Sequence, residues 1–252
     1  MNLELKDKVV LVTGSSSGIG YEIAKVFLNQ GCKVIINGKN KTNLTRAYAS
    51  LNNNSLTFFR ADVTKFNQSK ILINNIVKKF GFIDIVVCNV GSGKPQTNIP
   101  IEKEWKRMFD LNLFASINII ENSLPYITRK TGSIICISSI CGLEVISGAP
   151  IAYSSSKAAL NMYVKSLSRV IGDKGIRINA VAPGNILFPG SEWEKKLIMN
   201  PSKIKNILKN NVPLQKFGET QDVANLVLWL SSHYAKFITG SIYVSDGGQI
   251  KC

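Results

Sequence analysis

The chain has 252 residues, 45% of them hydrophobic, which is enough to bury one large core and fits a single α/β domain spanning 1–252. The net charge of +15 comes from lysines spread through Asn-rich stretches such as NGKNKTN (37–43), with no aromatic interleaving, so it reads as solvated surface and not as a nucleic-acid interface. Five cysteines without a CxxC pair and a single histidine, His233, argue against a disulfide framework or a metal site, and no apolar run is long enough to span a membrane.

The first residues, MNLELKDKVVLVTG, carry charges on both sides of a short apolar run, which is not the pattern of a signal peptide, so a cytoplasmic, reduced setting is expected. Val9–Val12 is the first β-rich run. It feeds TGSSSGIG (13–20) and then IGYEIAKVFLNQG, where Ile19, Ile23, Val26 and Phe27 share one helical face and Gly31 marks a stop. Further runs at 33–37, 56–60, 83–88, 133–138, 176–182 and 241–245 complete a set of seven strands. Helical period lies between several of them, as in 67–81 and 220–232, with Asp or Thr before several helices as expected N-caps. Strands that are apolar throughout, alternating with helices, predict a parallel sheet covered on both faces. The stretch 183–211 reads as the least regular. It follows strand six on the carboxyl side of the sheet, where open α/β folds bind ligands, and is expected to be a substrate lid.

The turn after the first strand holds Gly14, Gly18 and Gly20 at G-x-x-x-G-x-G spacing. Glycines let backbone approach a ligand without a Cβ, and the helix start behind them attracts a pyrophosphate. A glycine-rich turn with no ligand is the competing reading. In YSSSK (153–157), Tyr153 and Lys157 stand one helical turn apart. Reduction of a carbonyl by hydride leaves an alkoxide that needs a proton. A lysine ammonium beside a phenol is expected to lower its pKa from about 10 and ready it for that transfer. A solvated helix face is the alternative for this pair.

TGSSSGIG, CNVG (88–91), Asn112, Ser138-Ser139, YSSSK and Pro183-Gly184 occur in an order and at spacings that resemble the short-chain dehydrogenase/reductase family, in its branch of about 250 residues, over essentially the whole chain. The resemblance implies a doubly wound Rossmann-type fold with a seven-stranded parallel sheet, a nicotinamide cofactor, and a catalytic set of Asn112, Ser139, Tyr153 and Lys157. Ser139 matches better than Ser138, because it stands three residues before Gly142. The cofactor-binding positions it implies are Gly14, Ser16, Ser17, Gly18, Ile19 and Gly20 in the turn, Asp62 and Val63 near the adenine, Asn89 and Gly91, Tyr153 and Lys157, and Pro183, Gly184 and Ile186. The family's Asn-Asn-Ala-Gly is here Cys88-Asn89-Val90-Gly91, which puts extra bulk near the cofactor. Asn112 resembles the residue that links the lysine to solvent, while a helix kink or cap is its plainer reading.

The second strand ends on Gly38-Lys39, where NAD-preferring members carry Asp. A cation stands where a 2′-phosphate would lie, so NADP is favoured over NAD, with one more surface lysine as the alternative. Lysines at 195, 196, 203, 205, 209 and 216 could meet an acidic carrier. With Lys130 and Lys174 they resemble basic positions of 3-oxoacyl-acyl-carrier-protein reductases, although 92–105 does not look like those enzymes, and a sugar or other small ketone stays open. The family usually forms homotetramers through helices matching 101–130 and 152–172. The apolar face around Leu160, Tyr163, Val164 and Leu167 fits that or core packing. A catalytically idle dinucleotide-binding regulator is the reading from a different class; an intact Ser, Tyr and Lys set argues against it.

Overall fold

The computed structural model describes residues 2–94 and 101–251. β1 (Val9–Val12) leads into α1 (Gly18–Asn29), β2 (Lys33–Gly38) into α2 (Lys41–Leu51), and β3 (Leu56–Arg60) into α3 (Phe66–Phe80). β4 (Ile85–Cys88) is followed by α4 (Glu102–Phe109) and α5 (Ala115–Ser123), and β5 (Ser133–Ile137) by the long α6 (Ile151–Ile171). After β6 (Arg177–Pro183) come β7 (Ile186–Leu187), α7 (Glu192–Met199), α8 (Pro201–Asn211), β8 (Gly218–Glu219), α9 (Thr220–Ser231) and β9 (Ile242–Ser245).

All seven expected strands lie in one parallel sheet of order β3-β2-β1-β4-β5-β6-β9, and β7 pairs with β8 in a small separate sheet. The strand alternation splits the core. Val10, Val12, Val34 and Ile36 face α1, α2 and α9, whereas Leu11, Ile35, Val86 and Ile178 face α3, α5 and α6. Strand order reverses between β1 and β4, so their carboxyl ends open the crevice in which doubly wound sheets bind ligands.

Several local expectations change. The fourth strand begins at Ile85, because Ile83 bridges instead to Ile127. The expected Asp and Thr caps give way to other devices: Ser17 and Lys65 precede α1 and α3 without capping them by side chain, and Glu219 and Asp222 cap α9 reciprocally, leaving Thr220 inside the helix. The stretch 183–211 is largely helical. Ser191 accepts from Glu194 N–H to start α7, Asn200 accepts from Lys203 N–H to start α8, and Pro201 occupies the first position of α8, where its missing donor costs nothing. Only Ile204 of α8 is fully buried, with Lys203, Lys205 and Lys209 outward. On α6, Leu160 and Val164 are core residues with Tyr163 and Leu167 packed against them, which favours core packing over an interface for that face. No described helix is long and apolar enough to cross a membrane.

Candidate active site

Ser138 and Ser139 stand at the carboxyl end of β5, and α6 returns alongside with Tyr153, Lys157 and Asn161 on one face at i, i+4, i+8. Asn161 separates the two serines. Its Oδ1 sits 2.6 Å from Ser138 Oγ, and its Nδ2 donates to the Gly142 carbonyl at 3.1 Å, so Ser138 is tied into the scaffold. Ser139 Oγ accepts from Cys141 N–H at 3.2 Å, which leaves its proton to donate. The Ser139 hydroxyl lies on the side of the Tyr153 phenol and pulls its pKa down. Gly142 lets this loop lie on α6: a Cβ there would come 2.7 Å from the Lys157 carbonyl carbon. Asn161 escaped the sequence reading, although its helical spacing from Tyr153 and Lys157 was visible.

Lys157 is 3% exposed, and its ammonium donates to the Ile137 carbonyl at 2.7 Å. Burial lowers its pKa to about 8. Tyr153 is only partly enclosed by surface area, with its ring against Gly93, yet burial around the phenol pushes its pKa up to about 12, against a smaller downward pull from the Ser139 side chain. The expected lowering by Lys157 is therefore corrected. The ammonium is turned into the strand carbonyl and is itself destabilised by burial, so desolvation outweighs attraction. A phenol with a raised pKa is fully protonated at neutral pH, the state from which it can donate.

Asn112 sits in a single π-helical turn (110–114) between α4 and α5 and is fully buried. Its Nδ2 donates to the Met108 and Ser92 carbonyls at 3.0 and 3.1 Å, and its Oδ1 accepts from Ser92 N–H at 2.9 Å. The helix distortion and the site position coexist, as π-bulges often do at functional sites. Gly91 joins the groups, since a Cβ there would lie 2.8 Å from Asn112 Oδ1 and 3.1 Å from Lys157 Nζ.

The glycine-rich turn is braced from the same side. Gly14 and Gly18 adopt φ of +61° and +58°, which a side chain would strain. Asn89 Nδ2 donates to the Thr13 and Gly14 carbonyls at 3.1 and 3.0 Å, and Asn89 N–H to Thr13 Oγ1 at 3.0 Å, so Asn89 shapes the turn through its side chain. Val90, the bulky departure, rests its Cγ2 2.9 Å from where a Gly14 Cβ would be. Ile19 packs into the core, Gly20 is buried, and Ser16 and Ser17 line a cavity of about 520 Å³ with Asn43, Arg46 and Phe188. Phe188, which had no sequence signal, lays its ring over Gly18, with Cε2 2.7 Å from the position of a Cβ.

Asp62 accepts from Thr64 N–H and Oγ1, Val63 is 2% exposed, and Lys39 is exposed beside Gly38. Pro183 is buried at the end of β6, Gly184 packs on Asp246, and Ile186 points into the core, so only its backbone is left for a ligand. Lys130 and Lys174 meet at the amino edge, Lys130 N–H donating to the Lys174 carbonyl at 3.0 Å, on the opposite edge of the sheet from Ser139. A cavity of about 350 Å³ on that edge, lined by Gly81, Phe82 and Tyr126–Arg129, contains none of these side chains.

A dinucleotide fits the turn. Ser17 leaves the start of α1 uncapped, so its first N–H groups are free to meet a pyrophosphate, and the glycines open the approach. Among the described residues no cluster of His, Cys, Asp and Glu could hold a metal ion.

Residues 14–249 match the protein family described as enoyl-(acyl carrier protein) reductase. The chain is 34% identical to the 3-oxoacyl-[acyl-carrier-protein] reductase of Chlamydia muridarum, over 99% of this chain and 100% of that protein. Among solved structures, the L-sorbose reductase of Gluconobacter frateurii complexed with NADPH and L-sorbose superposes with a TM-score of 0.93 at 28% identity, covering 100% of both chains. A 7α-hydroxysteroid dehydrogenase complexed with NADH and 7-oxo glycochenodeoxycholic acid gives 0.87 at 28% identity, over 100% of this chain and 97% of that one.

Proposed function

The chain belongs to the short-chain dehydrogenase/reductase family of oxidoreductases, and from that premise we propose that it is an NADPH-dependent reductase converting a carbonyl to a secondary alcohol, with a 3-oxoacyl thioester as the substrate class. The observation that carries the reading is Ser139 at the carboxyl edge of β5, its oxygen engaged by Cys141 N–H, beside Tyr153 and the buried Lys157 one turn apart on α6.

The cofactor, when bound, supplies the hydride. Gly14–Gly20 would hold its pyrophosphate, Asp62 and Val63 would meet the adenine, and Gly91, Lys157 and Gly184 would border the reactive end. Ser139, with its oxygen already engaged by Cys141 N–H, donates to the substrate carbonyl and holds it against the Tyr153 hydroxyl. Tyr153, protonated at neutral pH, gives its proton to the developing alkoxide, as a positioned general acid does. Lys157 then stabilises the phenolate left behind until it is reprotonated. Asn112 fixes Ser92 and Gly91 so that the ammonium and the tyrosine keep their places. α7 and α8 form the lid. Lys195 pairs with Glu192 at 2.7 Å and Lys196 lies over Trp193, whereas Lys203, Lys205, Lys209 and Lys216 have no partner among the described residues and can face an acidic carrier.

One observation favours a second reading, a polar ketone such as a sugar. Asn185 Nδ2 and Gln249 Oε1 are buried without a protein partner, with Gln249 Oε1 against Gly184 at the end of β6, the strand next to Ser139. L-sorbose is the ligand of the sorbose reductase likeness. Free cysteines at 32, 88, 136 and 141 suit a reducing cytoplasm, and exposed Phe114, Met162 and Val170 offer apolar surface for a homotetramer. NADPH oxidation followed with acetoacetyl thioesters, keto-sugars and small diketones decides between the readings. Turnover of thioesters alone supports the first, turnover of keto-sugars alone the second, and no turnover of any, together with tight NADPH binding, would favour an idle dinucleotide-binding protein.

A further inference from the structure

The adenosine end of the site contains a cation that no motif marks. Arg60 closes β3 with its Cα paired to Gly38. The alternation of β3 puts Leu56, Phe58 and Arg60 on the α2 side, where the Phe58 ring packs tilted against Tyr48 with ring centroids 4.9 Å apart. The Gly38 Cβ position faces the same side, 3.4 Å from Ser16 Oγ and 3.8 Å from Leu44 Cδ1. The missing side chain at Gly38 thus leaves a gap beside the Ser16 hydroxyl, on the face of the sheet that Arg60, the register partner of Gly38, also occupies. Arg60 Nε donates to the Lys39 carbonyl at 2.9 Å, which anchors the guanidinium by one nitrogen and leaves both Nη groups without a partner among the described residues. No described carboxylate pairs with Lys39 or Arg60, so their positive field is unspent.

We propose that Arg60 is a cofactor-specificity residue: its Nη fork and the Ser16 hydroxyl clasp the 2′-phosphate of NADPH across Gly38, with Lys39 as the outer cation. The inference rests on the NADP reading above. A planar fork held by Nε suits the paired oxygens of a phosphate better than a flexible ammonium does, and a charge-assisted pair of bonds discriminates more strongly than a single exposed lysine.

The test is calorimetric binding of adenosine 2′,5′-bisphosphate and adenosine 5′-monophosphate, which differ by the 2′-phosphate alone. In wild type the bisphosphate should bind more tightly. Arg60→Gln, which keeps a donor for the Lys39 carbonyl, should weaken the bisphosphate about tenfold and leave the monophosphate within about twofold, as expected for one charge-assisted contact in partly screened surroundings. Arg60→Lys should recover part of the loss, and Arg129→Gln, which removes the same net charge on the opposite edge, should change neither. Equal weakening of both ligands makes Arg60 a strut for the β2–α2 turn and overturns the proposal, as does an unchanged bisphosphate affinity. A wild type that does not distinguish the ligands overturns the NADP reading as well, whereas a preference retained at its full wild-type size in Arg60→Gln overturns the role of Arg60 alone.

Discussion

Gly91→Ala tests whether the candidate catalytic groups form one interlocked unit. The backbone at Gly91 lies outside the left-handed region, so alanine meets no torsional barrier there. The added methyl would sit 2.8 Å from Asn112 Oδ1 and 3.1 Å from Lys157 Nζ, about half an ångström too close for a carbon–oxygen contact. Neither neighbour can yield freely. Asn112 is held by three hydrogen bonds of 2.9–3.1 Å to Ser92 and Met108, and Lys157 by one of 2.7 Å to Ile137. Moving Asn112 leaves a buried donor or acceptor unsatisfied, at about 1–3 kcal/mol. At about 2–4 °C per kcal/mol for a chain of this size, the melting temperature should fall by roughly 2–12 °C. The displaced ammonium should also lower kcat by roughly tenfold to a hundredfold, since small misplacements at a reacting centre are costly. Thermal melts and NADPH oxidation read the two effects. Gly172→Ala is the control: nothing lies within 4 Å of a Cβ there, and it should be neutral or stabilising by about 0.4–1 kcal/mol. A Gly91→Ala protein melting within about a degree of wild type with unchanged kcat would refute the packing argument.

Tyr153→Phe keeps the ring and removes the proton donor, so kcat should drop about 10²–10⁴-fold while NADPH titration by fluorescence stays unchanged; retention of more than roughly a tenth of kcat rules out the role. The Lys157 pKa, about 8 in the folded chain, lies below its unfolded value, so between there and about 10.5 the unfolded state binds the extra proton and stability rises with pH. Denaturant melts from pH 7 to pH 10 should show wild type gaining on Lys157→Met over that window, and parallel curves would count against a charged, buried lysine. Gly38→Asp with Lys39→Ile should turn the cofactor preference from NADPH to NADH, as measured by the two Kd values; a double variant still preferring NADPH moves the phosphate site elsewhere. Lys203→Glu with Lys205→Glu should raise KM for a carrier-bound acyl substrate far more than for its free thioester, in a salt-dependent way, and equal effects would leave these lysines as solvated surface.

The sequence alone determined the sheet, because β1, β4 and β5 are buried on both faces and must be apolar throughout, while helix faces such as that of α1 repeat at 3.6 residues. It also located the catalytic candidates, since Tyr153 and Lys157 are bound by one helical turn and the glycines of 14–20 by one loop, both local relations. Relations between distant segments were decided only by the tertiary structure. Asn161 engages Ser138 and leaves Ser139 free. Phe188 covers Gly18 from 170 residues away in the chain. Arg60 at the end of β3 reaches Lys39 just past the neighbouring β2. The sign of the Tyr153 shift belongs to the same class: neighbours at i and i+4 suggested attraction, but a pKa follows total desolvation and the direction in which an ammonium points, and both depend on how β5, α6 and the Gly91 loop close around the pair.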